Sequence, residues 1–203
     1  MTERHRYETA SIKSRGKAME LEEIMSKLSS EEKVFVSSLI DKDPLTGLYN
    51  RRKFDQDIEL VLSMSGRANR GTGLLFIDID NFKKYNDEYG HQKGDLILQD
   101  VTGCIEKHLR DYDKIHLYRY GGEEFVVIIS DITIKNTFNI GDRLRKTVKE
   151  SCGITISVGI SHYRDISDNL QSLINNADHA LYEAKKRGRD RVVVYHKDLA
   201  PPV

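Results

Sequence analysis

The chain has 203 residues, with 32 Lys+Arg against 32 Asp+Glu, 38% hydrophobic and 32% charged residues, and no Trp. This size and composition suit one domain that buries its own core plus a short extension, and exclude a disordered chain. A formal net charge of zero excludes a protein whose main task is coating duplex nucleic acid or an anionic membrane, because both leave a basic excess. No run of about 18 apolar residues occurs, and the start lacks the apolar stretch of a signal peptide. No membrane insertion is therefore expected in this chain, and a cytoplasmic location is. Cys104 and Cys152 have apolar neighbours, no CxxC and no His at ligand spacing, which predicts buried thiols rather than a disulfide framework or a zinc site.

In chain order, residues 1 to 17 are polar and without period. From Ala18 the apolar residues Leu21, Ile24, Leu28, Phe35 and Leu39 follow helical spacing, with Ser29-x-x-Glu32 as a capping box that restarts the helix. Asp43-Pro44 ends that segment, because the proline ring disfavours helix in the residue before it. The expected organisation is an N-terminal helical extension over 1–42, a domain over 43–197 and a tail over 198–203. Within the domain, Phe54, Ile58, Val61 and Leu62 mark a helix, and Leu74 to Ile77 a buried strand. Leu96, Ile97, Val101, Ile105 and Leu109 mark a second helix. Strands near 115–120 and 124–130 flank Gly121-Gly122, a pair suited to a tight hairpin. A helix near 137–149, a strand near 154–160, a helix from Leu170 to Ala184 and a strand near 191–195 complete the pattern. The core order β-α-β-β-α-β predicts an α/β (α+β) fold of the ferredoxin-like or polymerase-palm kind, with extra elements at each end.

Chemistry concentrates in three places. Asp78 and Asp80 close the first strand, and alternation points both to one face. Two carboxylates there repel unless water or a divalent cation offsets the charge, and carboxylate oxygens suit magnesium. Glu123 and Glu124 follow the Gly121-Gly122 turn, where a bare backbone admits a bulky ligand, and as adjacent strand residues they face opposite ways. If the first strand neighbours this hairpin, Asp78 and Glu123 meet as a cage for two ions about 3.5–4 Å apart that activate a hydroxyl and bind phosphate. The segment Asn81 to Asp95 offers Lys83 and backbone N–H groups to phosphate, and Asn86 and Asp95 to the edge of a guanine. Lys185 and Arg189, four apart, share a helix face that could clamp a triphosphate.

Five stretches in succession, DPLTGLYNR from Asp43, FIDIDNFKKYNDEYGHQKGD from Phe76, RYGGEEF from Arg119, ITISVGIS from Ile154 and ADHALYEAKKRGRDR from Ala177, resemble the successive motifs of the GGDEF family of diguanylate cyclases over residues 43 to 197. The resemblance implies condensation of two GTP into cyclic di-GMP and two pyrophosphates, in an antiparallel homodimer whose half-sites each hold one GTP. It implies magnesium, two ions per active site with manganese as a substitute, on Asp78, the carbonyl of Ile79 and Glu123, with Asp80 nearby. Glu124 is the implied base or second metal contact that helps remove the ribose 3′-OH proton. Phe82 and Lys83 belong to the substrate site, Lys83 stabilising charge on the phosphates. Asn86 and Asp95 read guanine, His91 supports their pocket, and Lys185 with Arg189 holds the terminal phosphates.

The chain departs from the family at the product-inhibition site, usually Arg-x-x-Asp with five residues before the first glycine. Here Arg110-Asp111-Tyr112-Asp113 is followed by seven, Lys114 to Tyr120. Arg143 is the expected secondary arginine of that site. Two alternatives accompany the cyclase: a non-catalytic receptor for GTP or cyclic di-GMP, and a palm-type cyclase making a monomeric cyclic nucleotide. If the N-terminal helix pairs two chains, deleting residues 1–42 is expected to lower product formed per protein at low concentration, and equal rates for both forms would sink that role.

Overall fold

The computed structural model describes residues 26–68, 71–109, 115–167 and 169–199. Leu21, Ile24, Arg110, Asp113 and the tail beyond 199 lie outside them. The chain divides into two units, Met1–Asp41 and Lys42–Val203.

The described part of the first unit is helix α1, Ser30–Asp41. It starts as its sequence dictates. The Ser29 backbone N–H and hydroxyl donate to Glu32 Oε2 at 2.9 and 2.8 Å, and Glu32 N–H donates back to Ser29 Oγ at 3.3 Å. This reciprocal box satisfies donors that the helix itself leaves open. Val34, Phe35 and Leu39 are exposed on α1.

The second unit is built on one six-stranded sheet. Its elements are β1 (Tyr49–Asn50), α2 (Arg51–Ala68), β2 (Thr72–Ile79), α3 (Phe82–Tyr89), α4 (His91–Leu109), β3 (Ile115–Arg119), β4 (Glu124–Ser130), α5 (Ile134–Cys152), β5 (Ile156–Tyr163), α6 (Leu170–Lys186) and β6 (Val192–Val194). The strand order is β1-β3-β4-β2-β5-β6. β2 is antiparallel to both β4 and β5, whereas β1 runs parallel to β3 and β6 parallel to β5. The four inner strands have the arrangement expected for β-α-β-β-α-β, so the end of β2 falls between the β3–β4 hairpin and the start of β5.

Period-two alternation sorts the core into two layers. Leu75, Ile77 and Ile79 of β2 join Phe125, Val127, Ile156 and Val158 against Ile97, Val101 and Ile105 of α4 and Leu144 and Val148 of α5. Leu74 and Phe76 turn the other way with Val126 and Ile128, against Phe54 and Ile58 of α2 and Leu173, Ala177 and Leu181 of α6. By the same parity Asp78 lies on the α6 side. Leu96, expected on the buried side of α4, is 51% exposed, because the buried stripe runs through Ile97, Val101, Ile105 and Leu109. Cys104 and Cys152 are free and half-buried where α4 meets the end of α5. Burial and then the neighbouring Cys104 push the Cys152 thiol up to about 12, which keeps it protonated at neutral pH.

Gly159 of β5 sets the seating of α6. A Cβ there would collide with the backbone of Ala177 and Leu181, reaching Leu181 Cα at 2.7 Å. Backbone cannot swing aside as a side chain can, so Gly159→Ala is expected to destabilise the unit by about 3 kcal/mol, read as a lowered denaturant midpoint with unchanged slope.

Candidate active site

β2 is buried along its whole length, and it ends in carboxylates. Asp78 sits opposite Glu124 on β4 and Ser157 on β5, and the Ile79 N–H donates to the Glu123 carbonyl at 3.2 Å. The Asp78 side chain is almost wholly buried, and Lys185 Nζ at the end of α6 reaches its Oδ2 at 2.7 Å. Burial, with repulsion from Glu123 and Glu124 adding to it, raises the Asp78 pKa to about 6 against the pull of Lys185.

The Gly121-Gly122 turn joins β3 to β4 through Tyr120 to Glu123, with Tyr120 N–H donating to the Glu124 carbonyl at 2.8 Å. Neither glycine has positive φ. Their lack of a side chain serves space instead: a Cβ on Gly121 would stand 2.5 Å from Glu124 Oε2, while one on Gly122 would meet nothing within 4 Å. Arg119 braces the turn. Its Nη2 and Nε donate to the Gly122 carbonyl at 2.7 and 3.2 Å, and its Nη1 meets Asp43 Oδ1 at 2.8 Å. Asp43 Oδ1 also accepts from the Thr46 N–H and hydroxyl, closing the loop before β1. Burial disfavours the Asp43 carboxylate, but Arg119 and Thr46 outweigh it and hold its pKa below the usual range. Tyr120 is fixed by edge contacts with Phe54 and Phe76 at 5.4 and 5.0 Å and by Arg51 4.6 Å above its ring.

The segment after β2 runs directly into α3. Asn81 takes the left-handed conformation (φ 57°) and starts α3 with no side-chain cap, leaving the first N–H groups of the helix open to an anion. Phe82 packs its ring into the core while Lys83 stays exposed. At the α3–α4 corner Gly90 has φ 83°, a conformation that favours glycine. The Asn86 Oδ1 atom is buried there without a hydrogen-bond partner, packed against Gly94 so closely that no side chain fits at that position.

Asp80 was expected beside Asp78 as a further metal oxygen, and the structure ties it up otherwise. It accepts from Ser157 Oγ at 2.6 Å, Thr155 Oγ1 at 2.7 Å and the Asp190 N–H at 3.0 Å. Arg189, expected on one helix face with Lys185, instead lies beyond the end of α6, where Gly188, Arg189 and Asp190 have φ of 107°, 62° and 45°. For the two non-glycine residues this costs on the order of 1–3 kcal/mol each. Asp190 anchors the segment through Arg145 and Lys149 of α5 at 2.7 and 2.6 Å. Burial opposes its ionisation, but these two cations hold its pKa below the ordinary range.

A cavity of about 400 Å³ gathers Asp78, Ile79, Phe82, Lys83, Glu123, Lys185 and Arg189 with Asn81, Lys84 and Asp87. Glu124 opens instead onto a second cavity of about 440 Å³ beside Asn175, Asp178 and Tyr182, which Lys185 also lines. Asn86, Asp95 and His91 lie at the adjoining α3–α4 corner rather than in either lining. Arg143 of α5 is exposed and donates to the His108 carbonyl at 3.1 Å. The roles of Asn81 and Asp190 escaped sequence reasoning; a polar pair straight after an apolar strand, and a Gly-Arg-Asp run after a helix, were the signals available.

The donor set fits a hard divalent cation. Two carboxylate residues, Asp78 and Glu123, line one cavity together with Ile79, and the Lys185 ammonium already stands against Asp78 as a cation would. Among the described residues no three His, Cys, Asp or Glu side chains form a metal group on their own, so a cation held here would need backbone, water or phosphate oxygens as well.

Residues 40–191 match the family model described as diguanylate cyclase, GGDEF domain. The chain is 36% identical over 147 residues to Diguanylate cyclase A of Treponema denticola, covering 68% of this chain and 39% of that protein. The structure resembles the GGDEF domain of DgcB from Caulobacter crescentus in complex with c-di-GMP, with a TM-score of 0.71, 30% identity, and coverage of 76% of this chain and 95% of the other. It also resembles the active GGEEF domain of a diguanylate cyclase from Vibrio cholerae, with a TM-score of 0.67, 28% identity, and 73% and 98% coverage. The chain spans less than half the length of the curated relatives it matches.

The raised Asp78 pKa carries a pH signature. The folded value, about 6, lies above the unfolded 3.8, so the fold binds the extra proton. Stability therefore falls as pH rises from about 4 to 6 and stays reduced above that. Asp78→Asn is expected to raise the melting temperature by a few degrees at pH 8 and by little at pH 4, which paired thermal melts will show.

Proposed function

Because the chain belongs to the GGDEF family, we propose that it is a diguanylate cyclase joining two GTP into cyclic di-GMP at the interface of a homodimer. The observation that carries this reading is the convergence of Asp78, Glu123, Lys83, Lys185 and Arg189 on one cavity at the uncapped start of α3. Such a site combines oxygen donors for a cation with positive groups for phosphates, as nucleotidyl transfer requires.

In each of two equivalent steps, the ribose 3′-oxygen of one GTP bonds to the α-phosphorus of the other. The bond from that phosphorus to the bridging oxygen breaks, pyrophosphate leaves, and the 3′-OH proton passes to Glu124. Lys83, Lys185, Arg189 and the open N–H groups of α3 hold the triphosphate and offset its charge. Asn86 and Asp95 bind guanine, Asp95 accepting from its N1–H and exocyclic amine, with His91 beside them. Asp78, the Ile79 carbonyl and Glu123 would hold magnesium, or manganese in its place. The cation supplies charge neutralisation at the α-phosphate and a lowered pKa for the attacking hydroxyl. Two ions per site are consistent with Glu124 as a second contact. Asp80 is left out of this set, its oxygens being occupied by three donors.

The separate cavities of Glu123 and Glu124 support different roles for the two glutamates. One chain supplies one half-site, so two copies must face each other. The exposed Val34, Phe35 and Leu39 of α1 support pairing through that helix. Product inhibition at Arg110, Asp113 and Arg143 remains part of the proposal, with the first two outside the described residues.

The test is incubation of the purified chain with GTP and magnesium, with products identified by chromatography and mass spectrometry. Cyclic di-GMP is expected, with the rate of Glu124→Gln at least 100-fold lower. A monomeric cyclic nucleotide would replace the reading by a different cyclase. GTP binding without product, at concentrations that force dimers, would replace it by a receptor.

A further inference from the structure

We infer that Asp80 is not a metal ligand but a positioning residue, which holds the left-handed Gly188–Asp190 segment so that Arg189 lines the phosphate cavity. This inference rests on the proposed binding of GTP at that cavity, and it assigns the grip on the terminal phosphates to a network reaching from β2 to α5.

Arg189 is presented by a segment that would not hold its shape alone. The end of α6 closes with the Arg189 N–H reaching back to the Ala184 carbonyl at 3.0 Å, with Gly188 beyond the helix at φ 107°. That is a Schellman-type closure, which normally needs one left-handed residue. Here two further residues with side chains, Arg189 and Asp190, continue in the left-handed region, and such a run persists only where surroundings over-determine it. They do so from both sides. The Asp190 N–H is held by Asp80 Oδ2, and the Asp190 carboxylate is held by Arg145 and Lys149. After it, the Arg191 carbonyl accepts from Val158 N–H at 2.9 Å, fixing the exit to β5.

Asp80 is built for this task. It is 3% exposed, and both its oxygens are used, one by Ser157 and the other by Thr155 and Asp190. The lining of the phosphate cavity includes its neighbours Ile79 and Asn81 but not Asp80 itself. A metal ligand needs an oxygen turned to the cation, whereas a peg needs each oxygen to receive a donor.

The two roles respond differently to an amide. An asparagine can accept from Asp190 and Thr155 through its oxygen and donate to Ser157 Oγ, since a hydroxyl serves either way. It would keep the peg and lose the negative charge a metal ligand must have. GTP and GMP binding to the full chain, measured by calorimetry with and without magnesium, separates the cases. Asp80→Asn is expected to bind GTP within about threefold of the unaltered chain with the same magnesium dependence. Asp80→Ala is expected to weaken GTP roughly tenfold, to leave GMP unchanged, and to add little in an Arg189→Ala background. Asp190→Asn, which leaves Asp80 in place and tolerates the left-handed backbone, is expected to show the same selective and non-additive loss. The inference is overturned if Asp80→Asn shifts the magnesium dependence as Asp78→Asn does, or if the losses of Asp80→Ala and Asp190→Asn add fully to that of Arg189→Ala. Failure of the unaltered chain to bind GTP would instead remove the functional reading and this inference with it.

Discussion

A central strand buried on both faces, ending in ionisable groups, imposes the constraint on which this domain depends. β2 brings Asp78 and Asp80 out of an apolar core, and each carboxylate must be compensated within a few ångströms. The solutions differ. Asp78 meets a lysine, Lys185, whose flexible stem can move to another partner. Asp80 meets two hydroxyls and a backbone N–H on fixed supports. One carboxylate thereby rests on a single flexible ammonium group while the other is locked into the frame.

The same division runs through the hairpin and helix ends around them. The Gly-Gly turn is held from behind by Arg119 and Asp43 and left open in front, where Gly122 presents bare backbone. The uncapped start of α3 and the exposed Lys83 and Arg189 are features that a purely structural corner would satisfy or bury. Strain in the Gly188–Asp190 segment, a buried carboxylate with a raised pKa and an unpartnered Asn86 oxygen all fall in this one region. Local rules are broken around the end of β2, and the rest of the unit follows its hydrophobic pattern.

The longer strands, the helices other than α3, the place of β2 beside the Gly-Gly hairpin and the Ser29–Glu32 box were legible in the sequence. Period-two and period-3.6 patterns depend on local geometry that one chain segment carries by itself, and the GGDEF-like stretches fall where that pattern changes. Only the tertiary structure decided the part of Asp80, because its donors come from residues 155, 157 and 190, and alternation along a strand cannot say what waits beyond its end. It also turned the segment after β2 into α3, left Leu96 exposed, and set Glu123 and Glu124 in separate cavities. Hydrophobic spacing names a face, whereas a hydrogen-bond partner far along the chain is chosen by packing. The residue types available to this site were therefore written locally, and which of them stay free to act was settled when β2, β5 and α6 came together.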